Sequence, residues 1–282
     1  MLELNHVRKT YKNFSLDCTM QVQEGCVTAL IGANGAGKST TFKAIMNLVR
    51  PESGEIRVFG KKSTDLKPED RQNIAVLFAE GGFSRTLKVS SVSGIMEALY
   101  PGFRRDWFEE QCKRFRISMD QKIGSFSTGE KAKLKVLLSM SYGAKLLILD
   151  EPTAGLDVVA RDEILCLLRE YMETEGRSIL ISSHISSDLE GLCDDVYMID
   201  QGKIVLHEDT DNLLERYGIL KMSEPEYSAA DKSYILRVKK ENYGYSCLTD
   251  QKAFYIENYP QMAVEKGSID EVIMMMVKGE TV

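Results

Sequence analysis

The apolar residues near the start of the chain occur in short runs separated by turns, a pattern that predicts strands. Residues 26–31 (CVTALI) form one compact run, and the glycine-rich stretch GANGAGKST follows it at once. Beyond a PESG turn, EIRVFG and residues 74–78 (IAVLF) are two further predicted strands. Directly after the glycine-rich stretch and before the PESG turn, TFKAIMNLV predicts a helix whose apolar face comprises Phe42, Ile45, Met46 and Val49.

The middle of the chain changes to a helical pattern and then returns to strands. Residues from about 89 to about 140 are mostly helical in pattern and contain the aromatic residues Tyr100, Phe103, Trp107, Phe108 and Phe115. Residues 146–149 (LLIL) then form a predicted strand that ends in Asp-Glu-Pro, and residues 178–182 (SILIS) form another. Residues 196–199 and 204–206 flank a Gln-Gly turn, which predicts a hairpin. Strands that alternate with helices predict a largely parallel sheet covered on both faces.

After about Gly218 the character of the sequence changes. The segment SEPEYSAADKS is polar and predicts a linker, and the segments YILRV and AFYI behind it are predicted strands. Ser268 and Glu271 have the spacing of a capping box, in front of apolar residues at helical spacing. The sequence therefore predicts an α/β domain at residues 1–218, with a helical subdomain at about residues 86–140 within it. A small α+β appendage is predicted at residues 219–282.

The overall composition is that of a globular protein without a strong charge bias. Of the 282 residues, 43% are hydrophobic and 28% are charged, and the formal net charge is −6. Acidic and basic residues are mixed and no Lys/Arg-rich run occurs, which speaks against a nucleic-acid partner. The six cysteines form no CxxC pair, so we expect reduced packing residues in a cytosolic protein and neither a metal site nor a disulfide framework.

No part of the sequence has the pattern of a membrane segment. The first residues, MLELNHVRKTYKNF, contain no apolar stretch of the signal-peptide type. Nowhere do about 18 apolar residues follow one another, the length that a spanning helix needs. We therefore expect that the chain does not span a membrane, and that any pore it serves belongs to another polypeptide.

The glycine-rich stretch between the predicted strand and helix matches the phosphate-loop pattern GxxxxGK[ST]. Glycines allow the backbone to fold around a phosphate with its N–H groups pointing inward, and the helix N-terminus adds a partial positive charge. We expect Lys38 to contact the β- and γ-phosphates and the Ser39 hydroxyl to bind Mg²⁺. The predicted nucleotide-binding residues of this loop are Gly32, Asn34, Gly35, Ala36, Gly37, Lys38, Ser39 and Thr40.

Two adjacent acids, Asp150 and Glu151, follow the apolar strand at residues 146–149. The carboxyl end of a buried strand lies beside the phosphate loop in open α/β sheets. Asp150 is predicted to hold Mg²⁺ directly or through water, and Glu151 is predicted to act as the general base that polarises the attacking water. Together with the phosphate loop, this pair predicts a nucleotide hydrolase.

Three further motifs specify the kind of hydrolase. FSTGE at residues 126–130 lies just before a predicted helix, AGLD at residues 154–157 follows the acidic pair, and His184 ends a predicted strand as SSH. In order and spacing these resemble the signature motif, the D-loop and the switch histidine of the ABC transporter ATPase family, over about residues 1–218. Tyr11, in RKTYKNF, matches the aromatic residue that stacks on adenine in that family, although by itself it also fits a packed strand residue.

The resemblance implies that two chains act as a pair. The signature would supply a second phosphate site from the Ser127 hydroxyl, the Gly129 backbone N–H and the N-terminus of the following helix. In the family's geometry Ser127 does not reach the γ-phosphate that Lys38 of the same chain holds, so each ATP would lie between one phosphate loop and the partner's signature. His184 would contact the γ-phosphate and orient water.

The implied ligands and partners follow from the same resemblance. The ligands would be ATP and Mg²⁺. The protein partners would be a second ATPase subunit, in a homodimer or a heterodimer, and an integral membrane permease. The chain would then be a peripheral protein at the cytoplasmic face of a bacterial cell membrane.

The sequence departs from the family pattern at two places. The signature is FSTGE where the common form is LSGGQ, but the serine and the second glycine remain. Ala79 aligns with the glutamine that usually binds Mg²⁺ and senses the membrane partner, and Glu80 would take this role if the alignment shifts by one residue. If neither residue serves, we expect an extra water on Mg²⁺ and slower turnover.

The finer resemblance is to the ATP-binding subunits of bacterial ABC-2 type exporters, which move antimicrobial or amphipathic peptides, lipids or other hydrophobic cargo outward. It is carried by LYPGFRRDWFEEQCKRF, by STGEKAKLKVLLSMSYGAKLLILDEPTAGLDVVARDEIL, by SSHISSDLEGLCDDVYMIDQGKIV and by SIDEVI. The cargo itself is not implied, because the membrane protein chooses it. A groove beside the aromatic residues of the helical subdomain is expected to accept a helix of the permease.

Three alternatives remain open at this point. A non-transport family member that acts on ribosomes or DNA is disfavoured, since the chain has one phosphate loop and no room for a long coiled-coil insertion between Lys38 and Asp150. Ala79 motivates a second alternative, a regulatory nucleotide-binding module that hydrolyses little. The third is an importer subunit, although the appendage differs in character from a sugar-importer regulatory domain.

Overall fold

The computed structural model describes residues 1–79, 81–183 and 188–281. The strands are β1 (Leu2–Tyr11), β2 (Phe14–Val22), β3 (Val27–Ile31), β4 (Ser53–Val58), β5 (Lys61–Lys62), β6 (Ile74–Leu77), β7 (Leu146–Asp150), β8 (Ser178–Ser183), β9 (Asp195–Asp200), β10 (Lys203–Asp209), β11 (Gly218–Met222), β12 (Ile235–Glu241), β13 (Gly244–Thr249) and β14 (Ala263–Lys266). The helices are α1 (Lys38–Ile45), α2 (Pro68–Arg71), α3 (Val89–Leu99), α4 (Arg105–Arg114), α5 (Thr128–Met140), α6 (Val158–Met172), α7 (Thr210–Arg216), α8 (Glu224–Ala229), α9 (Lys252–Asn258) and α10 (Ile269–Lys278). Across these three ranges, no helix has both the length and the apolar character that crossing a bilayer requires.

The larger of two sheets joins a parallel part to an antiparallel part. Its strand order is β5-β4-β1-β2-β10-β9-β3-β8-β7-β6. Strands β9, β3, β8, β7 and β6 run parallel to one another. Strands β5, β4, β1 and β2 pair antiparallel, and β10 connects the two parts. The predicted α/β fold with a largely parallel sheet is confirmed, and an antiparallel part extends the same sheet.

The central strands are buried along their whole length, which explains their continuous apolar sequences. All residues of β3 (VTALI) and of β7 (LLILD) are buried, because helices cover both faces of a parallel sheet. Since β3, β6, β7 and β8 run in the same direction, the loops that follow their carboxyl ends meet at one edge. The phosphate loop and the acidic pair therefore come together there.

The first helix is shorter than predicted. Phe42 and Ile45 are buried on α1 as expected, but the helix ends at Ile45, so Met46 and Val49 lie beyond it. Asn47 follows with φ +56°, a left-handed conformation that asparagine tolerates and that stops a helix.

Along the chain, helices α3, α4 and α5 come between β6 and β7, in the region of the predicted helical subdomain. Phe103 and Phe108 are buried there, with ring centroids 5.7 Å apart. Tyr100, Trp107 and Phe115 are partly buried and pack against this core. The aromatic residues thus divide into the core of the subdomain and a set that remains partly accessible.

The smaller sheet has the strand order β12-β13-β11-β14 and makes up most of the appendage. Strand β11 begins at Gly218, one residue before the predicted boundary. Ile219, Leu248 and Val272 belong to the same buried cluster as residues of the parallel strands, so the appendage packs on the main core. This shared core favours a fixed position for the appendage.

Two predictions for the appendage are wrong. SEPEYSAADKS, predicted as a linker, contains α8, which begins at a capping box where the Ser223 N–H donates to Glu226 Oε2 at 2.7 Å. AFYI, predicted as a strand, lies in α9, where Tyr255 is fully buried and its hydroxyl donates to the Asp231 carbonyl at 2.7 Å. A run of four apolar residues does not distinguish helix from strand, so tertiary packing decided this element.

Candidate active site

The phosphate loop lies between β3 and α1, and its backbone geometry requires glycine at two positions. Gly32 has φ +156°, and a Cβ atom there would lie 2.2 Å from the Ile199 carbonyl oxygen. Gly37 has φ +124°, and a Cβ atom there would lie 3.0 Å from the ring of Phe14. Another residue at either position would push the loop away from the strands that support it.

Lys38 is the first residue of α1, and its side chain folds back over the loop. The residue is 6% exposed, and its ammonium group donates hydrogen bonds to the carbonyl oxygens of Gly32 at 2.7 Å and Ala33 at 3.4 Å. The same nitrogen lies 3.2 Å from Glu151 Oε1. A buried cation at a helix N-terminus creates a site for anions, and the Glu151 carboxylate balances part of its charge.

A depression in the surface lies over this loop. Ser39 and Thr40 line it together with Lys38 and Glu151. The loop residues Asn34, Gly35 and Gly37 line it as well, whereas Gly32 and Ala36 are buried within the loop. The structure therefore gathers the predicted phosphate-binding residues around one opening, with the predicted base at its border.

Two aromatic residues stand at the hairpin between β1 and β2. Tyr11, the predicted adenine-stacking residue, is 42% exposed, and its ring centroid is 6.2 Å from that of Phe14. Phe14 lines the depression over the phosphate loop, and Tyr11 does not. Sequence reasoning missed Phe14, because only the pairing of Tyr11 with Phe14 across the hairpin places both rings at this point.

The acidic pair stands where β7 ends. Asp150 is 3% exposed, and its Oδ1 accepts a hydrogen bond from the Ser182 hydroxyl at 2.7 Å. Glu151 has φ +52°, a left-handed conformation that is uncommon for residues other than glycine. The chain turns sharply here, and the Glu151 side chain reaches Lys38.

Ser127 and Gly129 lie at the start of α5. The Ser127 Oγ atom accepts a hydrogen bond from the Glu130 N–H at 3.2 Å, and the Ser127 N–H donates to Glu130 Oε2 at 2.7 Å, which completes a capping box. The backbone hydrogen bond from Ser127 is the main cause that lowers the pKa of the Glu130 carboxyl. Neither Ser127 nor Gly129 lines the depression over the phosphate loop.

A buried network of hydrogen bonds and an ion pair anchors the loop after the acidic pair. The sequence did not predict this network. The Thr153 hydroxyl donates to Asp188 Oδ2 at 2.9 Å, and Arg161 Nη1 lies 3.5 Å from Asp188 Oδ1. Asp157 begins α6 by accepting a hydrogen bond from the Ala160 N–H at 2.9 Å. The network ties this loop to α6 and to the segment after β8. No local pattern signals it, because Thr153 and Asp188 are far apart in the sequence.

Two predicted site residues, Glu80 and His184, lie outside the described residues. Strand β8 ends at Ser183, immediately before His184. Ala79 is exposed at the carboxyl end of β6 and lines a second cavity that also reaches Glu151. The predicted roles of these residues stay predictions.

The edge of the parallel sheet, where a phosphate loop faces an acidic strand end, places the chain in the class of P-loop nucleotide hydrolases. The family model for ABC transporters matches residues 16–154. The chain is 28% identical over 270 residues to the ABC transporter ATP-binding protein YtrB of Bacillus subtilis (strain 168), covering 95% of this chain and 89% of the relative. It is 33% identical over 221 residues to the lantibiotic transport ATP-binding protein SrtF of Streptococcus pyogenes, covering 75% of this chain and 92% of the relative.

A solved structure described as the ATP-binding subunit of an ABC transporter has the same fold. It superposes with a TM-score of 0.68 at 28% identity and covers 76% of this chain and 91% of the solved chain. The chain therefore belongs to the ABC transporter family of ATP-binding proteins. The predicted family, fold and ATPase activity are confirmed.

Proposed function

We propose that this ATPase subunit drives the outward transport of hydrophobic or amphipathic cargo, such as antimicrobial peptides, through a separate membrane permease. The subunit would sit at the cytoplasmic face of a bacterial membrane. The relative SrtF is named for lantibiotic transport, which supports this class of cargo. The ATP-hydrolysis part of the proposal is carried by the 3.2 Å distance between Lys38 Nζ and Glu151 Oε1, because it brings the proposed base to the phosphate loop. The direction of transport and the class of cargo rest on the similarity to relatives such as SrtF.

The chemistry proposed for the site assigns one task to each residue. Lys38 binds the β- and γ-phosphates of ATP, and the loop N–H groups surround them. When phosphate oxygens take the place of Glu151 beside Lys38, the Glu151 carboxylate becomes available to accept a proton from the attacking water. His184, which lies outside the described residues, contacts the γ-phosphate.

The oxygen atoms of the site suit Mg²⁺. Ser39 offers a hydroxyl in the depression, and Asp150 offers Oδ2, since Ser182 occupies Oδ1. In the described ranges, no group of three or more His, Cys, Asp or Glu residues is arranged to hold a metal. Mg²⁺ binds through one or two carboxylates together with substrate phosphates, so this donor set fits an ion that arrives with the nucleotide. Bound there, Mg²⁺ would neutralise charge on the transferred phosphoryl group.

The surface beside the acidic pair supports the pairing of two ATPase subunits. Val158 and Val159 begin α6 directly after the AGLD segment, and they are 77% and 70% exposed. Burial of these two side chains against another subunit would favour association. The same pairing would bring the partner's Ser127 and Gly129 to the phosphate loop. Purification of an ATP-bound dimer from this chain alone would indicate a homodimer, and a requirement for a related chain would indicate a heterodimer.

The adenine ring is proposed to stack on Tyr11, with Phe14 supporting the Tyr11 ring. Tyr11→Ala is expected to weaken ATP binding by about 1 to 3 kcal/mol, the usual range for stacking of a base on an aromatic side chain, and Tyr11→Phe should preserve binding. Titration with a fluorescent ATP analogue measures both. If Phe14→Ala weakens binding and Tyr11→Ala leaves it unchanged, the base lies on Phe14 instead.

A groove between the larger sheet and the helical subdomain is the proposed docking site for a helix of the permease. The rings of Tyr100 and Tyr142 stack at its wall, with centroids 4.2 Å apart. Burial at this groove lowers the pKa of the Lys135 ammonium. Its apolar lining comprises Val76, Leu77, Phe78, Phe83, Met96, Tyr100, Leu138 and Tyr142. An apolar groove with a cation at its border fits one face of an amphipathic helix.

Phe83→Ser tests this docking site. Aromatic anchors at interfaces are commonly worth about 2 kcal/mol or more, so the variant should lower permease affinity at least about 30-fold. The measurement is the amount of permease that co-purifies from detergent-solubilised membranes, with thermal melting as a check of the fold. Tyr243→Ser is the matched control, since Tyr243 is 97% exposed in the turn between β12 and β13. Undiminished co-purification of Phe83→Ser would argue against the groove.

The complete proposal is tested with the subunit and its permease in membrane vesicles. With the ATPase subunits on the outer side, ATP should drive a labelled amphipathic peptide into the vesicle lumen, together with phosphate release. Release of preloaded peptide from the lumen would indicate an importer. ATP turnover that stays negligible with the permease present would favour a regulatory module.

A further inference from the structure

We propose that Ser182 is a positioning residue of the ATPase reaction, whose hydroxyl holds both acids at the end of β7 in their working orientation. The inference rests on the roles proposed for Asp150 and Glu151. Ser182 lies on β8, directly opposite Asp150 in the parallel register, and it is fully buried. Its side chain therefore meets the acidic pair from the neighbouring strand.

The hydrogen bonds of Ser182 have a defined direction. The hydroxyl donates its one proton to Asp150 Oδ1 at 2.7 Å and accepts a hydrogen bond from the Glu151 N–H at 3.0 Å. The carbonyl oxygen of Ser182 accepts a second hydrogen bond from the same N–H at 3.2 Å. One buried residue thus contacts the side chain of the first acid and the backbone of the second.

The contact to Asp150 selects which carboxylate oxygen faces a cation. Because Oδ1 accepts the Ser182 hydrogen bond, Oδ2 is the oxygen better placed for Mg²⁺, and the hydrogen bond restrains rotation of the carboxylate. Groups that orient a metal-binding side chain in this way typically change metal affinity or activity by about 10- to 100-fold when removed.

The contact to Glu151 supports a strained backbone. With φ at +52°, Glu151 holds a conformation that persists only when the surroundings fix it. The two hydrogen bonds from its N–H to Ser182 provide this support at the residue itself. The resulting turn sends the carboxylate to within 3.2 Å of Lys38, the place where a γ-phosphate and its attacking water would meet.

A pair of variants with the same shape separates the hydroxyl from packing. Ser182→Thr and Ser182→Val add side chains of nearly equal volume, but only threonine keeps the hydroxyl. We expect Ser182→Val to lower kcat about 10- to 100-fold and to raise the half-saturating Mg²⁺ concentration by a similar factor. Ser182→Thr should remain close to the wild type in both. Binding of a fluorescent ATP analogue without Mg²⁺ should be equal in the two variants, because Lys38 is unchanged.

Ser178→Ala is the matched control on the same strand. Ser178 is also fully buried, and its hydroxyl donates to the Gln23 carbonyl and accepts from the Gly25 N–H, each at 3.0 Å, at the other end of β8. It should lower the melting temperature without changing kcat or the Mg²⁺ dependence. Ser182→Ala adds no atoms and should lower both the melting temperature and kcat. It replaces the comparison of Ser182→Val with Ser182→Thr if the larger side chains prevent folding.

Equal kcat and equal Mg²⁺ dependence of Ser182→Val and Ser182→Thr would overturn the inference. So would a Ser182→Ala variant that matches Ser178→Ala in turnover at a temperature where both are folded. A separate variant, Glu151→Gln, shows which idea has failed. If Glu151→Gln is inactive while Ser182→Val is as active as Ser182→Thr, only the positioning role of Ser182 is refuted. If Glu151→Gln hydrolyses ATP at the normal rate, the chemistry proposed for the site is refuted.

Discussion

Replacing Glu151 with glutamine is expected to lower ATP turnover by about 10²- to 10⁴-fold, the usual contribution of a general base. The amide has the size of the carboxylate but does not accept a proton from water. The variant also loses the charge that faces Lys38 Nζ at 3.2 Å, so phosphate no longer competes with an internal anion for this lysine. ATP binding should therefore remain at least as strong as in the wild type.

The same variant should accumulate as an ATP-bound dimer. With hydrolysis blocked, each nucleotide would stay between one phosphate loop and the partner's signature, and size exclusion with light scattering would detect the pair. Glu173→Gln is the matched control, because Glu173 is an exposed acid at the end of α6. Normal turnover of Glu151→Gln would remove this residue from its role as base. An ATP-loaded variant that stays monomeric at high protein concentration would contradict the paired arrangement.

Replacing Lys38 with alanine is expected to abolish ATP binding at ordinary concentrations. Hydrogen bonds to charged groups contribute about 1.5 to 3 kcal/mol each, so losing contacts to two phosphates should weaken binding at least about 100-fold. The variant also removes the hydrogen bonds from the ammonium group to the carbonyl oxygens of Gly32 and Ala33, which help to shape the loop. Isothermal titration with ATP measures the loss.

Lys43→Ala controls for the general effect of removing a positive charge from α1. Lys43 lies in the last turn of this helix and is exposed, so its replacement should leave ATP affinity unchanged. Thermal melting of both variants separates loss of binding from loss of the fold. Wild-type affinity in Lys38→Ala would discredit the assignment of this loop as the phosphate site.

The elements that the sequence predicted well are those encoded by consecutive residues. The phosphate loop is recognisable because its glycines, Lys38 and Ser39 act as one local unit between a strand and a helix. Asp150 and Glu151 are recognisable because a fully buried strand ends in two acids. The family follows from the order of such local motifs along the chain. The predictions for AFYI and SEPEYSAADKS were wrong for the opposite reason, since short or polar segments take their conformation from the residues they pack against.

By itself the sequence determined the class of enzyme, the phosphate loop, the acidic pair and the mostly parallel sheet, because each depends on neighbouring residues or on a repeated pattern. Only the tertiary structure decided which distant residues meet. It placed Phe14 over the loop, Ser182 between the two acids, and Asp188 against Thr153 and Arg161. These contacts depend on the order of strands in the sheet, β2-β10-β9-β3-β8-β7, which differs from their order along the chain. A local sequence pattern does not encode the order of strands in the sheet. The residues that support the site could therefore be identified only from the tertiary structure.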